Sequence, residues 1–326
     1  FFFQAQDGIR YLVRSRGLGD VYKRQTSINT VSAVNCTNLN PIQIINTDTG
    51  PEGITGSSPY TDAVVFDINL TTGNYLPFDP DWVLPLAANN IDQINALGIN
   101  PMDDKMYAYV DHLGAYSVIR FDQYGNHEYV SQGHSNWSIA GAFTPDGVYV
   151  TPVPNTGRVT TLSNLHTYEG WETRNDLINN GPASSWVELT AQVGAAGADI
   201  AIVTDSTGDL IALGIDMGTS ATGEAIELVK FNITDDTFEK TTIDIVDTGE
   251  GFGAAYSFAD NSAYLSYNVG TGIYKVLWDE PTIDSKVQVV KIMDSADTNA
   301  NDGASCVDEM PPFPVSYTHL TLPTKA

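Results

Sequence analysis

The sequence predicts an all-β fold, a β-propeller of about six blades, with five to seven compatible with the same pattern. Three observations predict it. First, Gly251–Trp278, GFGAAYSFADNSAYLSYNVGTGIYKVLW, holds three apolar runs separated by Asp-Asn and Gly-Thr-Gly turns. Period-two alternation puts Tyr264 and Leu265 on opposite faces, as a strand requires. Second, similar units recur upstream, with small-residue runs starting near Ala96, Ala140, Asp199 and Ala254, at spacings of 44, 59 and 55 residues. That period, with about four strands per copy, suits a propeller blade better than a solenoid repeat. Third, the chain is rich in Gly (28) and Tyr (16) and has few helical periodicities, which favours strands and turns.

The two ends differ from the rest. Phe1–Gln25 holds Arg10, Arg14, Arg16, Lys23 and Arg24, a third of the fifteen Lys and Arg in the chain. Both this segment and Val315–Ala326 resemble translated sequencing-adapter read-through. The resemblance implies non-native flanks (1–25 and 315–326), a native segment from Thr26 to Pro314, and further domains in a longer native chain.

Within 26–314, Ile42–Ile45 reads as a short strand, and Asp62–Phe78 as a hairpin with Leu-Thr-Thr-Gly at its turn. The hairpin resembles the outer pair of an incomplete blade, and in a ring the missing strand can come from the other chain end. The loop 79–90 carries Trp82 and leads into a second blade, Ile94–Val110 with Ala115–Val130. A third follows at Ile139–Val153 with Arg158–Leu162. Leu165–Ala183, which contains Trp171, is the least regular stretch and reads as a surface loop or part of a further blade. Ser185–Val193 is a strand. Ala198–Ile215 with Ala225–Ile245 is another blade, and Gly251–Trp278 with Lys286–Ile292 is the last. Met293–Pro314 is expected to be an acidic, solvated tail without a core.

The formal net charge of −25 repels phosphate backbones, so nucleic acid is excluded as a partner. No apolar run approaches 18 residues, so no membrane span is expected. His112, His127, His134 and His166 show no zinc spacing and are read as turn or surface residues, and no Gly-x-Ser-x-Gly elbow is present. Asp62, Asp92, Asp199 and Asp260 are candidates to converge at the propeller axis, where a glycosidase- or lactonase-like hydrolase would place carboxylates or a metal. Trp82 and Trp171 lie in loops and are candidates to stack on a sugar. Asp294, Asp297, Asn299, Asn301 and Asp302 supply alternating oxygen ligands for calcium, without the glycine and glutamate of an EF-hand loop.

Cys36 and Cys306 are the only cysteines, just before the first hairpin and just after the last blade. A propeller makes its first and last blades neighbours, so the two are expected to form a disulfide across the seam. Such a bridge persists in an oxidising compartment, which places the chain outside the cell or on its surface.

The strings INALGINPMDDKMYAY, AGAFTPDGVYV, GAAYSFADNSAYLSYNVGTGIYKV and NDGASC resemble an uncharacterised propeller-like domain of secreted bacterial surface proteins, labelled only as of unknown function. The resemblance spans most of Ile91–Cys306 and implies architecture and location more than chemistry. The expected function is a non-catalytic surface module that binds a glycan or protein, or spaces a larger array. The alternative is the propeller hydrolase.

Overall fold

The computed structural model describes residues 31–37, 39–47, 60–78, 83–134, 137–153, 158–181, 186–189, 199–216, 225–246, 251–268, 270–298 and 301–312. The two flanks and Trp82 lie outside the described residues.

The chain forms five antiparallel sheets. The first begins with β1 (Ile42–Thr47), β2 (Asp62–Asn69) and β3 (Asn74–Pro77), with β4 (Leu84–Pro85) against β2. The second runs β5 (Gln93–Asn100), β6 (Lys105–Asp111), β7 (Tyr116–Phe121), β8 (His127–His134). The third runs β9 (Ala142–Phe143), β10 (Tyr149–Val153), β11 (Arg158–Leu162), β12 (Trp186–Glu188). The fourth runs β13 (Ala201–Thr204), β14 (Leu210–Asp216), β15 (Ala225–Asn232), β16 (Thr237–Val246). The fifth runs β17 (Phe252–Ser257), β18 (Ala263–Tyr267), β19 (Gly272–Val276), β20 (Val289–Met293). The last strand, β21 (Asn301–Ala304), returns to the first sheet and pairs with β1, Ile42 opposite Ala304 and Ile45 opposite Asn301. These are propeller blades, four of them four-stranded and the first carrying β4 as a fifth strand, and among the described residues there are five, where the sequence suggested about six.

The missing sixth blade has a physical reason. Among the described residues, the irregular stretch after β11 contributes one strand, β12, which completes the third sheet. Residues 168–181 fold onto the second sheet. A short helix, α1 (Arg174–Asn180), is capped by Thr173, whose hydroxyl accepts from the Asp176 amide at 3.1 Å. Leu177 of α1 is fully buried in the core between the first two sheets. Gln132 donates to the Leu177 carbonyl at 3.1 Å and Arg120 to the Tyr168 carbonyl at 3.0 Å, so the loop is fastened to β7 and β8.

Each pair of neighbouring sheets encloses its own apolar core. Ile44, Val65, Ile94 and Met106 fill the first–second interface. Tyr107, Val118, Phe143 and Tyr149 fill the second–third, and Val150, Val159, Ile202 and Phe231 the third–fourth. Val203, Leu213, Ala255 and Leu265 fill the fourth–fifth. A fifth core joins the last sheet to the first through Ile68, Leu70, Ala254 and Tyr256. Both faces of these sheets are therefore covered, which is why the strands read as near-continuous apolar runs.

The segment after Met293 is not a coreless tail. Asn301–Ala304 is the innermost strand of the first sheet and wholly buried. It is held from both sides. Gly303 packs against the fifth sheet so closely that a Cβ there would lie 2.6 Å from both the Ala254 Cβ and the Tyr256 ring. Gly303→Ala is expected to destabilise the fold by about 1–3 kcal/mol, the range for overpacking, measured by urea titration. A variant as stable as the parent would show that the contact relaxes freely.

The predicted disulfide is present. Cys36 and Cys306 are bonded, with Cα atoms 5.8 Å apart and a sequence separation of 270. Both sulfurs belong to the core between the first two sheets.

Candidate functional site

All five sheets bring a group to the propeller axis. The centre is a pair of carboxyl groups, Asp302 on β21 and Asp199 two residues before β13. They are 0% and 3% exposed and hydrogen-bonded to each other. The backbone also holds Asp302. Its Oδ1 accepts from the Gly303 amide at 2.6 Å and its Oδ2 from the Leu97 amide at 2.7 Å. The Leu97 amide is available because β5 carries a bulge. The register of β5 on β6 shifts between Asn95 and Gly98, with Ala96 at φ +57°. A bulge frees one N–H from the ladder and re-aims it, here at the carboxylate. The third sheet contributes Tyr149, whose hydroxyl donates to the Ala96 carbonyl. The fifth contributes Tyr256, fully buried, with no hydrogen-bond partner for its hydroxyl.

Burial dominates the electrostatics. It pushes Asp199 up to about 7, against the lowering effect of the hydrogen bond from Asp302. Asp302 is driven well above the usual carboxylate range by burial first, then by the charge of Asp199. Two carboxyls in contact titrate as one unit, and the first proton is shared between them. Burial likewise keeps the Tyr149 and Tyr256 phenols neutral. A depression lined by Leu97, Gly98, Gly141, Ile200, Gly303 and Ser305 adjoins the pair in sequence, and neither carboxyl lines it. Glycoside hydrolysis needs about 5 Å or more between two carboxyl groups, with substrate between them. Two sealed carboxyls bonded to each other do not offer that arrangement.

Of the four candidate axial aspartates, only Asp199 reaches the axis. Asp260 lies in the β17–β18 turn and accepts from the Ser262 amide at 3.0 Å. Asp62 starts β2 and accepts from the Thr61 hydroxyl at 3.0 Å, and Asp92 immediately precedes β5. Its partner, Asp302, was expected among the calcium ligands of the tail. The four of those five that are described do not form a common set. Asp294 is exposed and paired with Lys291 at 2.7 Å. Asp297 is exposed, and Asn301 donates to Asn268 at 3.2 Å on the opposite face of β21 from Asp302. Asn299 lies outside the described residues. Among the described residues no group of three His, Cys, Asp or Glu could hold a metal ion.

Trp171 is not a free stacking platform. Its backbone pairs with Tyr129, and its half-buried ring packs against the first–second core. His134 is not a surface residue either. It is buried between the second and third sheets, with Ser131 Oγ 3.0 Å from Nε2 and Tyr109 Oη 3.2 Å from Nδ1. Burial lowers it to about 4. A histidine lowered in the fold contributes stability that is present above its unfolded value of 6.5 and lost as pH falls toward 4. His134→Asn is therefore expected to remove about 3 kcal/mol of acid destabilisation between pH 6.5 and 4, read from urea midpoints. An unchanged acid limb would rule this role out.

Asp302 and Tyr256 were missed, though a signal existed. NDGAS can be written under GAAYS as one more small-residue inner strand, which would have put Asp302 on the axis.

A family model described as a repeat of unknown function (DUF6923) matches residues 82–308. The chain belongs to this family. The match begins in the approach to β5 and runs past β21, so it takes in four complete blades and the strand that completes the first. A search of curated proteins finds no match. Among solved structures, TolB from Acinetobacter baumannii is 12% identical with a TM-score of 0.41, over 77% of this chain and 53% of that one. Virginiamycin B lyase from Staphylococcus aureus is 14% identical with a TM-score of 0.36, over 77% and 73%. The periplasmic gluconolactonase of Pseudomonas aeruginosa is 16% identical with a TM-score of 0.35, over 78% and 68%. This chain thus spans about half the length of the TolB chain. The architecture of this DUF6923 member rests on its own strand pairing.

Proposed function

We propose that this DUF6923 chain is a non-catalytic propeller module of an exported protein, which binds a glycan or protein or spaces a larger surface assembly. The observation that carries the reading is the sealed axis. Where a propeller hydrolase would hold open carboxylates, the two here are buried against each other and held by backbone amides. The disulfide supports an extracellular or surface location, because it would be reduced in an ordinary cytosol. Segments 1–25 and 315–326 are treated as flanks outside the module.

A glycan array and a pull-down with surface extracts test binding. The hydrolase alternative has one observation in its favour, the axial carboxyls themselves. It is tested by assaying aryl glycosides and lactones with the parent and with Asp199→Asn. No turnover above background is expected from either. Turnover by the parent that the variant loses a hundredfold or more would replace the module reading with the enzyme.

A further inference from the structure

We infer that the propeller axis is a binding site for a hard, oxygen-seeking cation, calcium being the ion of choice. Its ligands are Oδ1 of Asp199, a carboxylate oxygen of Asp302 and the phenol oxygen of Tyr256.

Three observations carry this. The first is the charge balance. Each carboxylate at the axis is a buried charge, and a buried charge must be neutralised by a proton or a cation. Among the described residues no Lys or Arg acts on either one. The groups around them are Tyr149 from the third sheet, Tyr256 from the fifth, and from the second sheet only the Leu97 amide and Ala96 carbonyl.

The second is unpartnered oxygen. Among the described residues Asp199 Oδ1 and the Tyr256 hydroxyl are buried and have no hydrogen-bond partner, although Tyr256 lies within electrostatic reach of both carboxyls. Buried polar atoms of native proteins are almost always paired, so two unpartnered oxygens at one place point to a missing partner. An all-oxygen set with two carboxylates suits a hard cation and not zinc or copper.

The third is proximity to an opening. A depression is lined by Leu97, Ile200 and Gly303, which donate to the carboxyls or adjoin them in sequence, and one layer of these residues separates it from the buried pair. This site differs from calcium in the 294–302 stretch, with which it shares only Asp302.

A proton and a cation then compete for the same oxygens. The full chain, stripped with a chelator at pH 8, is titrated with calcium, magnesium or sodium at fixed ionic strength, with choline chloride as the balancing salt. Calcium is expected to raise the melting temperature of the parent by several degrees at pH 8 and by much less at pH 5. Asp302→Asn and Asp199→Asn are expected to lose the rise. A rise kept in both variants assigns binding to surface carboxylates and overturns the site, as does no rise with any of the three ions. Equilibrium dialysis of radioactive calcium against the parent serves if the variants do not fold. It should show one tight site per chain whose affinity falls up to about tenfold per pH unit below the pair's titration. Affinity independent of pH from 5 to 8 would overturn the site.

Discussion

Replacing Cys36 and Cys306 together with alanine is expected to lower stability by up to about 5 kcal/mol, and the melting temperature by about 8 °C for a domain of this size. The bond closes 270 residues, so the unfolded chain loses a large share of its freedom when it is intact. The location adds to the effect. The first sheet borrows its inner strand from the far end of the chain, and that strand is only four residues long. Without the bond, β21 is free to leave, exposing the β1 edge and the axial pair together. Urea unfolding of the parent under oxidising and reducing conditions, beside the double variant, measures it. A double variant within about 1 kcal/mol of the oxidised parent would show that strand pairing and core packing hold the seam alone.

The second large effect is a fall in stability as pH rises, caused by the axial pair. Both carboxyls are raised by burial well above the unfolded value of 3.8, Asp199 to about 7. A raised acid contributes stability that is fully present below its unfolded value and lost as pH rises through its folded one. The window therefore opens near pH 4 and extends to about 7 and above. Moving Asp199 from 3.8 to about 7 accounts for about 4 kcal/mol. His134, His127 and His112 are all lowered by burial and act in the opposite direction over part of this window. The quantity to measure is thus the difference between the parent and an Asp199→Asn/Asp302→Asn double variant, from urea midpoints at pH 4 to 8 without divalent cations. The double variant should gain on the parent steadily as pH rises. A difference that stays constant with pH would mean the two carboxyls ionise in the fold as they do in water.

Much of the architecture was legible because it is written locally. Alternating apolar residues between Asn, Asp and Gly turns specify antiparallel hairpins, and β17–β19 lie within Gly251–Trp278, where that pattern marked them. The disulfide was legible for a different reason: with two cysteines only one pairing exists, and any propeller brings the chain ends together. The candidate site was half legible. Asp199 sits beside an apolar strand that reads as one, so its place on the axis followed from the pattern.

What remained was decided by contacts between residues far apart in sequence. Asn301–Ala304 is made of Asn, Asp, Gly and Ala, residues that local propensity keeps out of strands. It is a strand because the edge of β1 offers it hydrogen bonds and the gap beside Tyr256 admits a glycine. Asp302 could not be told from the acidic residues around it until that pairing brought it to the Leu97 amide. The blade count turned on a similar choice. The described residues between β11 and β12 form no sheet of their own, and Leu177 enters the core of the neighbouring blade, where its side chain is fully buried. Sequence by itself determined most of the strands and where they turn. Tertiary structure decided which strand completes which blade, and therefore which two of the forty acidic side chains meet at the axis.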